Sequence, residues 1–65
     1  MKRAKLVAYL EEHGCLLYRE GARHSVFVNM ILRRTSAVPR HREIKDMLAY
    51  EICKDLGIPK IKRGK

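Results

Sequence analysis

Helical periodicity is confined to the two ends of this 65-residue chain, and everything between breaks into short strand-like runs separated by turns. Near the start, Leu6, Val7 and Leu10, with Ala4 alongside, recur at spacings of three and four, while Lys2, Lys5, Glu12 and His13 fall where water reaches them. That pattern predicts an amphipathic helix over residues 2–13, stopped by Gly14 in the left-handed conformation. Toward the other end, Ile44, Met47, Leu48, Ile52 and Leu56 form a second apolar stripe. It predicts a helix over residues 43–56 with Met47 and Leu48 in the core. Gly57, Ile58 and Pro59 supply the stop signal, a left-handed residue, an apolar residue able to fold back, and a ring that cannot continue the helix.

Between the helices the pattern predicts strands over residues 15–20, 24–31 and 33–38, rich in Val, Ile, Phe and Thr and joined by a few residues each. Such short connections imply an antiparallel meander. The second run is apolar on both faces around Val26, Phe27 and Val28, so the pattern leaves its register open. Helices placed only at the ends cover one face of the sheet and leave the other to water. The expected fold is α+β, in the order α-β-β-β-α, with two helices on one face of a three-stranded antiparallel sheet. This order resembles the arrangement of double-stranded-RNA-binding domains. Residues 1–58 make the domain, and residues 59–65 read as a basic, flexible tail.

A chain this short buries only about 60% of its unfolded surface, which leaves little room for a cofactor pocket; none is expected, nor is a metal. Cys15 and Cys53 are the only cysteines, and neither has a second Cys or His at ligand spacing. They read as buried free thiols. No run approaches the ~18 apolar residues of a membrane span, and no signal peptide is evident, so the expected location is cytoplasmic, with no membrane partner.

The net charge of +8 from fifteen Lys and Arg points to an anionic partner. It is concentrated: from Arg19 to Arg42 there are six arginines and two histidines against one acid, Glu20. Within that segment Gly21-Ala22-Arg23-His24 places an imidazole at the start of a strand, after a glycine turn and beside a cation. Free imidazole titrates near pH 6.5, so both its forms exist at cellular pH. RNA cleavage requires one proton taken from a 2′-hydroxyl or a water and one given to the leaving oxygen, and a positioned imidazole does either. His24 is therefore the candidate catalytic residue. Arg23, Arg40 and Arg42, with Lys2 and Arg3 at the start of the first helix, are candidate phosphate contacts. Gly21, Ser25 and His41 are candidates for shaping the turns around them. Ser25 has no acid and base pattern of a hydrolase triad, and the four aromatic residues are too scattered for a base-stacking tract.

These residues, taken in order, resemble the HicA (YcfA-like) toxin family. The likeness runs from about residue 2 to 58: a short helix closed by Gly14, the Gly21-x-x-His24 turn, Val38-Pro39-Arg40-His41 leading into Glu43-Ile44-Lys45, and Ile52, Lys54 and Gly57-Ile58 at the close. The resemblance implies a double-stranded-RNA-binding-like fold and an mRNA interferase that cleaves mRNA without a metal. It further implies His24 as the catalytic histidine and a HicB-like antitoxin that masks the site. The chain departs from the usual family pattern at Ala22 and Arg23, at Met47-Leu48, and at Cys15-Leu16, where an aromatic is common. Two other functions fit the charge: a domain that binds structured RNA without cutting it, and a small module that docks an acidic protein.

Overall fold

The computed structural model describes residues 1–62. In it the chain runs α1 (Arg3–Glu12), β1 (Cys15–Glu20), β2 (His24–Asn29), β3 (Arg34–Pro39) and α2 (Asp46–Leu56). The strands form one antiparallel sheet in the order β1-β2-β3. The α+β, α-β-β-β-α architecture is the one expected.

Polar residues settle the register that the apolar run left open. Ser25, Phe27 and Asn29 of β2 turn to the helices and are buried, as are Ser36 and Val38 of β3, while Val26 and Val28 are only half-buried. On that face Asn29 Nδ2 donates to the Leu56 carbonyl at the end of α2 at 2.8 Å, and Ser36 Oγ donates to Asp55 Oδ2 at 3.2 Å. Buried polar groups need such partners, and this register supplies them. Leu6 and Leu10 of α1 and Ala49, Ile52, Cys53 and Leu56 of α2 complete the core with Cys15, Phe27, Val38 and Ile44.

The boundaries differ from the sequence pattern for local reasons. β2 ends at Asn29 because that side chain turns the backbone: its Oδ1 accepts from the N–H groups of Ile31 and Leu32 at 3.1 and 3.3 Å, and Arg33 takes a φ of 57°. The second helix begins at Asp46 rather than residue 43. Glu43 and Ile44 are instead held extended against the N-terminus, where Lys2 pairs with Glu43 and Met1 and Ile44 exchange two bonds of 2.7 Å. Ala49, Ile52, Cys53 and Leu56 then set the buried face of α2. Met47 and Leu48 fall off it, 72% and 40% exposed, so their expected place in the core is corrected. Ala4 is exposed as well.

Both predicted helix stops are present. Gly14 and Gly57 have φ of 82° and 74°. After α2, Ile58 N–H reaches back to Cys53 O at 3.0 Å and Gly57 N–H to Lys54 O at 3.1 Å, the paired bonds of a Schellman motif. Packing continues past residue 58, because Ile61 is 3% exposed and belongs to the core. Residues 63–65 of the expected basic tail lie outside the described residues. Both cysteines are buried and unbridged.

Candidate functional site

The site is built from two chain crossings at one end of the sheet. Gly21 N–H donates to His24 O at 2.7 Å, closing the β1–β2 turn. A Cβ at Gly21 would stand 3.1 Å from that same oxygen, so glycine lets the turn close tightly. His24 pairs with Pro39 as β2 begins, and Arg40 N–H donates to Arg23 O at 3.2 Å one step beyond. The turn and the segment after β3 therefore lie side by side. Ala22, Arg23, Arg40 and His41 line a cleft of about 410 Å3 between them.

His24 is exposed. Strand alternation puts it on the open face of the sheet with Val26 and Val28, beside the cleft but outside its lining. Among the described residues its imidazole has no hydrogen-bond or ion-pair partner. Both ring nitrogens are open to whatever docks there.

A second set of contacts holds the turn from the helix side. Ser25, fully buried, donates its hydroxyl to Glu20 Oε1 at 2.9 Å and accepts from Arg3 Nη2 at 2.8 Å. Arg3 Nε donates to Pro39 O at 2.8 Å. Arg40 Nη1 lies 3.6 Å from the same Glu20 carboxylate and donates to Gly21 O at 3.0 Å. Glu20 reaches this face only because of a bulge. The β1–β2 register skips from Leu17 opposite Phe27 to Arg19 opposite Val26, leaving Tyr18 unpaired. One extra residue reverses the alternation of everything after it, which sets Glu20 opposite Ser25.

The N-terminus joins the same region. Arg3 N–H donates to Arg42 O at 2.8 Å, so the first turn of α1 abuts the segment after β3, and Lys2 and Arg42 stand exposed near it. The site residues named from sequence thus fall into three groups. Arg23, Arg40 and His41 share the cleft, with His24 at its side. Lys2 and Arg42 flank it at the α1 terminus. Gly21, Ser25 and Arg3 are engaged in holding the turn, Arg3 with Nε and Nη2 both committed. Glu20 was not among the candidates; its one sign in the sequence is that it is the single acid in the basic segment.

Burial pushes the Cys15 and Cys53 thiols above their ordinary values, and for Cys15 the proximity of Cys53 adds to the effect. That direction favours the thiol over the thiolate near neutrality. Among the described residues no three His, Cys, Asp or Glu side chains gather as metal ligands, and no helix is long and apolar enough to cross a membrane.

Comparison with known proteins gives one finding. A family model described as the HicA toxin of bacterial toxin-antitoxin matches residues 3–58. No curated protein and no solved structure matched the chain.

Proposed function

Since the chain belongs to the HicA family of bacterial toxin-antitoxin toxins, we propose that its toxicity is that of an endoribonuclease, which cleaves mRNA in the cytoplasm with His24 moving the proton. The observation that carries this reading is the exposed, unpartnered His24 imidazole beside a cleft lined by Arg23, Arg40 and His41. A phosphodiester held by the two guanidiniums meets the imidazole at the cleft's side. The ring takes a proton from the attacking 2′-hydroxyl or water, or gives one to the leaving oxygen, for roughly 10²–10⁴-fold in rate. Arg23 and Arg40 offset the charge that builds on the phosphoryl oxygens. Arg40 uses Nη1 to hold Gly21 O and leaves about half of its side chain open to solvent, so it can contact substrate without releasing the turn.

A toxin of this kind has an antitoxin partner, and we assign a HicB-like protein to the open face of the sheet. Leu16, Tyr18, Met30 and Ile31 are exposed on β1 and the β2–β3 turn, and Tyr18, Val28, Met30, Arg33 and Thr35 line a hollow of about 390 Å3. His24 stands on the same face. A protein covering this apolar surface masks the imidazole as well.

The test is cleavage of mRNA by purified wild type and His24→Ala in the presence of a chelator. Wild type should cut, and His24→Ala should lose at least about 100-fold in rate while binding a 2′-O-methyl RNA as tightly as before. Equal cleavage by the variant removes His24 from the mechanism. RNA bound with steep salt dependence yet left whole by wild type would make the chain a binding domain only.

A further inference from the structure

A further hollow shares no lining residue with the cleft beside His24. It is a groove of about 490 Å3 between α1 and the C-terminal segment, lined by Lys5, Ala8, Tyr9, Glu12, Pro59, Lys60, Ile61 and Lys62. Half of this lining comes from residues 59–62, beyond the stretch that matches the family. The segment is held in place by several contacts. Ile61 is anchored in the core, Tyr9 Oη donates to Pro59 O at 2.7 Å, and Lys60 Nζ sits 4.6 Å from the centre of the Tyr50 ring.

Three lysines, Lys5, Lys60 and Lys62, line the groove against one carboxylate, Glu12, with the Lys60 ammonium resting on the neighbouring Tyr50 ring, and the apolar part of the lining is Ala8, Tyr9, Pro59 and Ile61. Such a site suits a ligand with regularly spaced negative charge and flat apolar parts. Lysines meet phosphates as flexible point charges, and an apolar floor accepts a base without reading its identity. The chain links the two around the start of α1: Arg40 lines the cleft, the Arg42 carbonyl accepts from Arg3 N–H, and Lys5 follows on the next part of the helix surface. Lys2 stands exposed at that junction.

From this arrangement we infer that the groove formed by Lys5, Tyr9, Lys60 and Lys62 is a second RNA-binding site, gripping the sugar-phosphate backbone of a strand whose other part lies at His24. The inference rests on the RNA reading of the cleft. It adds that the C-terminal segment is part of the substrate-binding surface. An acidic peptide is the other ligand such charge would attract, and the test separates the two.

The experiment measures binding of a fluorescently labelled 2′-O-methyl RNA oligonucleotide across a salt series, so that cleavage plays no part. Each lost phosphate contact on a single strand lowers the slope of log K against log salt by about 0.7. Lys5→Ala/Lys60→Ala/Lys62→Ala should therefore lower the slope by about 2, with at least a roughly tenfold weaker affinity at low salt. A charge-matched variant, Lys45→Glu/Lys54→Ala, should change affinity by less than about threefold. The Lys5→Arg/Lys60→Arg/Lys62→Arg variant should keep the wild-type slope. Thermal melts confirm that each variant is folded. An unchanged slope in the groove variant, an equal loss in the charge-matched variant, or a loss confined to binding of an acidic antitoxin overturns the inference. Failure of His24 to support cleavage would leave these readings intact, so the two ideas fail separately.

Discussion

Ser25 and Glu20 are joined by a hydrogen bond of 2.9 Å from hydroxyl to carboxylate, and the same hydroxyl accepts from Arg3 Nη2 at 2.8 Å. One small side chain therefore ties the start of α1 to the β1–β2 turn. Because Ser25 is fully buried, its removal leaves the Arg3 guanidinium short of a partner in a half-buried place. Ser25→Ala should cost about 1–3 kcal/mol in urea unfolding. A loss under about 0.5 kcal/mol would mean that Arg3 and Glu20 meet directly once the hydroxyl is gone, and that Ser25 is dispensable to the turn.

Glu20 carries a different expectation, because it opposes the basic cleft while bracing it. Glu20→Gln keeps an oxygen to accept from Ser25 but removes the negative charge 3.6 Å from Arg40. Both side chains are half exposed, so stability should move by less than about 1 kcal/mol. Affinity for uncleavable RNA should rise, because Arg40 no longer shares its charge with an acid. Fluorescence anisotropy across a salt series checks this; weaker binding by Glu20→Gln would show that bracing outweighs neutralisation.

The elements of the fold were legible because their stop signals are chemical. Gly14 and Gly57 end helices at positive φ, and Ile58 and Pro59 complete the second stop as read. The start of α2 was not legible, since Glu43 and Ile44 are drawn out of the helical pattern by backbone bonds to Met1 and the bridge to Lys2, more than forty residues away in sequence. Met47 and Leu48 look like core for the same reason: hydropathy gives a stripe, and tertiary packing around Ala49 fixes its phase. The basic cleft was visible as a cluster of Arg and His around Gly21. Glu20 was hidden by the Tyr18 bulge, because counting by twos along β1 sends it to the wrong face. Arg3 looked like a free cation, and only the folded chain brings it within reach of Ser25 and Pro39.

Gly57 ends α2 in a crowded place. A Cβ there would lie 2.6 Å from Leu32 Cδ1 and 3.3 Å from Arg34 Nη1, and the φ of 74° already disfavours any other residue. Arg34 is fixed by its own bonds to the last carbonyls of α2, from Nε to Asp55 O at 2.8 Å and from Nη2 to Lys54 O at 3.2 Å. Gly57→Ala should destabilise by about 1–3 kcal/mol. Adding Leu32→Ala should recover part of that loss by clearing the contact, leaving the backbone cost. Full additivity of the two substitutions in a double-mutant cycle would show that Leu32 already yields freely.

The two buried thiols should make stability fall at alkaline pH. Burial raises both above their ordinary values, so over the pH range just above the ordinary thiol value the native chain keeps protons that the unfolded chain gives up. Unfolding free energy then declines as pH rises through that range, and the contribution is fully present below it. Tyr9, also raised chiefly by burial, adds to the decline at still higher pH. Urea midpoints from roughly pH 8 to pH 10 should fall for wild type, and more shallowly for Cys15→Ala/Cys53→Ala once its lower starting stability is subtracted. Iodoacetamide should label the native protein at a small fraction of the rate for the urea-unfolded chain, since attack needs an exposed thiolate. Labelling of folded protein at the unfolded rate would place these sulfurs at the surface and remove the alkaline slope they are expected to produce.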